Sequence, residues 1–207
     1  MSSVLLSTTY FGPIQWYQKL HRYDQVLIEQ HETFPKQTYR NRCLIATTQG
    51  VQALTVPVSK SETEPYSRCV RISDHGNWRH LHWQALQSAY GESPFFEYYE
   101  DDLRPFFAEH NWEFLMDFND AICQKMCELL DIHPCISRTS HFEPLDTCPI
   151  DDFRLAINPK HPAEDSTFHP RPYYQVYQQK HGFLPNLSIL DLLFNMGPES
   201  IFYLHNA

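Results

Sequence analysis

The opening of the chain, SVLLSTTYFGPIQWYQKLHRYDQVLIEQ, restricts the fold more than any later stretch. Two short apolar runs, Val4–Ser7 and Val26–Glu29, read as strands. FGP breaks the chain between the first of them and a short helix over Trp16–Leu20. The connection from Thr8 to Asp24 has 17 residues, long enough to cross over a sheet and return as a parallel strand. The expectation is an α/β fold.

Downstream, QTYRNRCLIATTQGVQALTVPV reads as two strands about a Gly-containing turn at Thr48–Gly50. SKSETEPYS follows as a polar loop and CVRIS as a short strand. Helical spacing covers 77–90, with Trp78, Leu81, Ala85 and Ala89 on one face and Arg79, Trp83, Gln87 and Tyr90 in an adjoining stripe. A longer helix is expected over 111–130, capped by Asn111, with Asn119 near the middle of its core face. Regularity drops from Ser137 to Pro172. Order returns near the C-terminus, where Ser188 and Asp191 fit a capping box, Leu187 and Leu192 a hydrophobic staple, and Gly197-Pro198 a helix stop. The expected architecture is a single α/β domain over 1–207, with a mixed β-sheet, flanking helices and a proline-rich loop or lid over 137–172.

With 42% hydrophobic residues the chain can bury a sizeable core. Its net charge of −9 argues against nucleic acid, whose phosphates need a broad basic surface. The apolar runs are far shorter than the roughly 20 residues of a membrane helix, so no membrane insertion is expected. The start lacks the basic segment of a secretion signal, which points to the cytoplasm. Six cysteines form no CxxC pair and no zinc-finger spacing, so no metal is assigned. Cys123 and Cys127, four apart on a helix, read as packing. No motif names a cofactor: Walker, GxGxxG and GxSxG patterns are missing.

Against this acidic background, HETFPKQTYRNRC gathers Lys36, Arg40 and Arg42 within thirteen residues. If Arg40–Ile45 is extended, Arg40 and Arg42 share a face about 7 Å apart and can grip a phosphate or carboxylate. His31, Lys36, Gln37, Tyr39 and Asn41 complete a basic pocket for a small anion. The alternative is a cluster that only offsets acids of the fold. Arg79, Trp83 and Tyr90 suit a stacking wall for a sugar or base, or else Trp83 packs beneath a loop. Asp152, Arg154 and Lys160, just before the proline-rich segment, become contacts from a second wall if that segment closes. His31 and Asp152 are then the candidate acid–base groups, against a plain Asp–Arg pair. His80 and His82 point apart on a helix and cannot chelate together; His82 reads as a core histidine.

In order along the chain, YFGPIQWYQKL, HETFPKQTYRNRC, LTVPV, HWQALQSAYGESPFFEYY, DDFRLAINPK and HGFLPNLSILDLLFNMGPES resemble the WbqC-like protein family. The resemblance implies a bacterial protein of O-antigen or other surface-polysaccharide synthesis. It further implies a transferase acting on an activated sugar or an acyl or aminoacyl donor, alongside other enzymes of that pathway. It supplies no catalytic residue. The expected partner is an anionic small-molecule donor, a nucleotide-sugar or an acyl phosphate. A non-catalytic ligand-binding or assembly protein of the same pathway is the alternative.

Overall fold

The computed structural model describes residues 2–59, 64–109, 111–145 and 150–205. Strand β1 (Ser3–Ser7), helix α1 (Ile14–Arg22) and strand β2 (Gln25–Glu29) form the expected parallel unit, in register from Ser3 opposite Gln25 to Ser7 opposite Glu29. A hairpin follows, β3 (Arg42–Thr47) with β4 (Gly50–Thr55), and then a short ribbon of β5 (Val58–Ser59) with β6 (Arg71–Ile72). Helices α2 (Trp78–Tyr90), α3 (Phe96–Leu103), α4 (Pro105–Ala108) and α5 (Leu115–Leu129) come next. Strands β7 (Ile136–Arg138) and β8 (Asp151–Asp152) then return to the sheet. Helices α6 (Gln178–His181), α7 (Ile189–Met196) and α8 (Ile201–Leu204) close the described chain.

The main sheet has the order β7-β2-β1-β8, and all its pairs are parallel. The antiparallel pairs lie in the separate hairpin and ribbon. The protein is thus α/β, with a parallel sheet flanked by helices. Val4, Leu5 and Leu6 of the inner strand are wholly buried, as a parallel strand covered on both faces requires. Along the sheet the parallel strands come third, second, first and fourth in chain order. The chain therefore reverses its direction of travel between β1 and β8. In such sheets ligands sit outside the carboxyl ends of the strands at that reversal.

Several expectations change in the fold. The 137–172 segment supplies most of β7 and all of β8, which are too short to carry a periodic signal. Helix α5 begins at Leu115 rather than Asn111, because Phe114 is bridged to Arg71 and the Leu115 amide donates to the Val70 carbonyl. On α2 the buried face is turned from the expected one: Leu81 is exposed while His82 and Leu86 face inward. Tyr10 Oη lies 2.9 Å from His82 Nδ1, and burial pulls that imidazole down to about 4. It is the core histidine expected of it.

The proline-rich segment is held down by charge. Lys19 of α1, its side chain fully buried, meets Asp165 at 2.7 Å and donates to Thr167 Oγ1 at 2.6 Å. Gln15 adds a bond to Asp165 at 2.8 Å. Burial pushes the Asp165 carboxyl up, but bonds from Lys19, Gln15 and Thr167 outweigh it and hold the group at about 2.

Candidate functional site

The carboxyl ends of the four parallel strands bring together Ser7–Thr9, Glu29–Glu32, Arg138–Thr139 and Asp152–Arg154. Apolar strands end there in polar residues because the backbone leaves the sheet and must find other partners. Glu29, fully buried, accepts from the His31 amide at 2.7 Å, Thr139 Oγ1 at 3.0 Å and the Glu143 amide at 2.9 Å. Arg154 grips Asp152 through Nε and Nη2, the latter at 2.6 Å, and reaches Glu29 at 3.5 Å. Arg40 holds Glu32 at two points, Nε to Oε1 at 2.8 Å and Nη2 to Oε2 at 2.6 Å, and donates to Ser7 Oγ at 2.6 Å. Each guanidinium is therefore fixed by a carboxylate before any ligand arrives.

Between β1 and β8, Ser7, Thr8, Thr9, Tyr39, Arg40 and Arg154 line a small cleft of about 10 Å³, room for one water, with Trp16 in its wall. Thr8, Thr9 and Trp16 also border a larger groove of about 640 Å³, within the range of small-molecule sites. Its other walls are Ile28 and Ile136 from the sheet, the loop 132–134, and Asn119, Cys123 and Cys127 of α5. Those three residues recur every fourth position and so form one helical stripe. The two thiols stand 4.0 Å apart.

The residues singled out from sequence separate into groups. Arg40 lies in a turn ahead of β3, so the expected extended Arg40–Ile45 face is not formed. Arg42 begins the strand and donates to Thr55 Oγ1 at 3.1 Å. Tyr39 is buried, which pushes its phenol up to about 12, and Asn41 donates to the Val56 carbonyl. Lys36 and Gln37 lie in the exposed loop, where Lys160 Nζ reaches Gln37 Oε1 across the chain. The proline-rich segment thus does meet the HETFPKQTYRNRC loop.

His31 lies 3.3 Å from the Thr139 carbonyl through Nε2 and 3.2 Å from Arg68 Nη1 through Nδ1. Since a carbonyl only accepts and a guanidinium only donates, Nε2 carries the proton and both ring nitrogens are occupied. Asp152 and Arg154 are indeed paired, but largely buried at the strand end rather than on the surface. Arg79, Trp83 and Tyr90 build no stacking wall. Arg79 is buried against Asp74 and the Trp78 ring, and Trp83 packs on Phe96 and Phe107. Tyr90, fully buried, donates to Asp191 at 2.9 Å. Asn119 ties α5 to the loop, donating to Thr8 Oγ1 at 3.1 Å and the Arg40 carbonyl at 2.8 Å.

Sequence reasoning passed over Ser7, Thr8, Thr9, Glu29 and Glu32. A signal was present: each sits at the polar end of an apolar run already read as a parallel strand. Among the described residues no three His, Cys, Asp or Glu side chains gather as a metal site, and no helix is long and apolar enough to cross a membrane.

The model of the WbqC-like protein family matches residues 8–160 and 163–203. The uncharacterized protein Rv1507c of Mycobacterium tuberculosis is 26% identical over 202 residues, covering 87% of each chain. No solved structure matches the chain.

Proposed function

The chain belongs to the WbqC-like protein family, and from that membership we propose that it is a transferase of bacterial surface-polysaccharide synthesis, of the O-antigen kind. It takes an anionic activated donor, a nucleotide-linked sugar or an acyl phosphate, at the carboxyl end of β1. One observation carries the reading: Arg40, Arg154, Ser7, Thr8 and Thr9 line one small cleft where the parallel sheet reverses direction, and Thr8, Thr9 and Trp16 are shared with the 640 Å³ groove, which has room for the body of a donor. Guanidiniums fixed in advance by carboxylates lose little freedom on meeting a phosphate or carboxylate. Neither acid–base candidate is free, since both His31 nitrogens have partners and both Asp152 oxygens are held by Arg154, so the reading rests on binding and names no acid–base group. In this reading the chain is one domain working in the cytoplasm beside other enzymes of the pathway.

A non-catalytic binding or assembly role is favoured by one fact: both arginines of the pocket are already paired with acids. Turnover separates the two roles, since a binder leaves its donor unconsumed. The test is a thermal-shift panel of nucleotides, nucleotide-sugars and acyl phosphates on the wild type and on Arg40→Lys, Arg154→Lys and Arg42→Ala. A ligand at 100 times its Kd adds about 2.7 kcal/mol. For a chain of this size that is a rise of roughly 5–10 °C. The rise should vanish in the two lysine variants, which keep charge but lose the two-point grip, and persist in Arg42→Ala. A flat panel, or a rise untouched by either lysine variant, overturns the reading.

A further inference from the structure

Cys123 and Cys127 stand four residues apart on α5, so their side chains lie on one side of that helix. Phe118, Ile122 and Met126 form its wholly buried core side. The two cysteines lie off that side, in the wall of the large groove, and each keeps 8% of its surface open. Their sulfurs are 4.0 Å apart, and neither has another hydrogen-bond partner among the described residues. The other described cysteines stand singly: Cys43 is buried in the core, Cys69 donates to Glu64 and Cys135 to Gln25.

This spacing suits a bridging atom better than a disulfide. Helical side chains four apart hold their Cβ atoms about 5–6 Å from one another. A disulfide needs them within about 4.5 Å, with sulfurs about 2.0 Å apart, so closing one would bend α5. A shared ion spans the gap with the helix at rest. With sulfur bonds of about 2.3 Å, the zinc value, sulfurs 4.0 Å apart subtend an angle of about 120° at it. The rest of the lining decides which ion. Among the described residues no third His, Cys, Asp or Glu side chain joins the pair as a ligand set. Asp120 is held by Arg138 at 2.5 Å and Glu128 by Lys125 at 3.0 Å, while His133 is highly exposed beside Asp131. Tetrahedral zinc and hard, oxygen-seeking cations are therefore poorly served. Two thiols without free oxygen donors select a soft centre content with few ligands. Trp16, Ile28, Ile132 and Ile136 leave the remaining surface mostly apolar, with room for an organic group on that centre.

We propose that Cys123 and Cys127 form a dithiol site for a thiophilic centre of low coordination number, either a monovalent copper ion or a trivalent arsenic that carries an apolar group. The site stands apart from the transferase role and needs no donor to be seen. Both centres are held by the same exchange. Copper displaces one proton from each thiol, which solvent accepts, and makes two copper–sulfur bonds. An arsenic oxide gives up its oxygen as water: two S–H bonds and the arsenic–oxygen bond break, and two arsenic–sulfur bonds form. Nothing is oxidised or reduced in either case.

The probes are phenylarsine oxide and copper(I), the latter presented anaerobically on a chromogenic chelator, with the full chain kept reduced by a phosphine. Wild type should take up one arsenical per chain, seen by intact mass spectrometry as a gain of one phenylarsine oxide less one water. Alkylation of the unfolded adduct, mapped by peptide masses, should then spare Cys123 and Cys127 alone. A monothiol should not strip the arsenical, whereas a small dithiol should. Cys123→Ala and Cys127→Ala each place a good helix former on the groove wall, so the fold should hold. Each should weaken both probes about a hundredfold or more, because the two-point grip is lost. Cys69→Ala and Cys135→Ala should change neither. Binding of copper alone assigns the site to a bare ion, and binding of the arsenical alone to a centre with an organic group; each upholds the dithiol site. Uptake of neither probe, alkylation that spares other cysteines, or affinity unchanged in both Cys123→Ala and Cys127→Ala overturns it. So does ready closure of a Cys123–Cys127 disulfide by an organic disulfide, which would make the pair a redox couple.

Discussion

Arg40 and Glu32, eight residues apart, lock into a two-point ion pair whose side chains are only 8% and 11% exposed. The geometry fixes the guanidinium plane at the mouth of the β1–β8 pocket and draws the loop between them against the sheet. Arg40→Ala strands a buried carboxylate, so it should cost roughly 3–5 kcal/mol in urea unfolding. The double replacement Arg40→Met with Glu32→Leu should cost much less, since neither charge is then left alone. A fully destabilised double variant would mean that the loop depends on something other than this pair.

Asp165 is the counter-charge of the buried Lys19. Asp165→Asn should destabilise the fold by roughly 3–5 kcal/mol and speed tryptic cleavage at Lys160, because the segment loses its anchor. The pH dependence has a definite sign. The carboxyl titrates at about 2 in the fold against an ordinary 3.8, so its contribution is complete above pH 3.8 and fades as pH falls toward 2. Unchanged proteolysis in the variant would show that the prolines alone hold the segment.

Asp191 behaves oppositely. It is fully buried with no cation paired to it among the described residues, and burial raises its carboxyl despite bonds from Tyr173, Gln175 and Tyr90. A carboxyl raised in the fold contributes most when protonated, and that contribution falls as pH rises above 3.8. Asp191→Asn keeps the size and one acceptor while removing the titration. The advantage of wild type over variant should therefore shrink as pH rises, measured by urea midpoints from acid to neutral pH. A difference that grows with pH would reverse the assignment.

Gly12 is required for room. A methyl there would run into Thr9 Oγ1 and lie 2.9 Å from Thr9 Cβ. Gly12→Ala should cost about 1–3 kcal/mol by displacing Thr9, and Thr9→Ala in the same chain should restore part of it. Thermal unfolding of the single and double variants checks this. Additive losses would place the strain elsewhere.

Much of the fold was legible where a short range of chain carries the signal. The β1–α1–β2 unit, the β3–β4 hairpin and the end of α7 at Gly197 follow from apolar runs and breakers. The α2 face was misjudged because hydropathy puts Leu81 inward and Arg79 outward, whereas Arg79 is buried against Asp74 and the Trp78 ring and Leu81 is left exposed. Asp191 fits a capping box by sequence, and Ser188 does accept from the Leu190 amide. The carboxylate itself turns instead to Tyr90 and Tyr173, 101 and 18 residues away.

The sequence by itself determined an α/β chain of this family, a parallel opening unit and a concentration of cations at 36–42. Only the tertiary structure decided what those cations meet. Glu32 stands within the same thirteen residues as Arg40, yet nothing local says that a turn will fold one onto the other. Strands β7 and β8, three and two residues long, exist only because β2 and β1 pair with them. They complete the carboxyl edge that sets Arg154 beside Glu29. Local sequence fixes backbone preference through sterics and periodicity. Which buried charges neutralise one another, and where a groove remains, depends on distances between segments far apart in the chain.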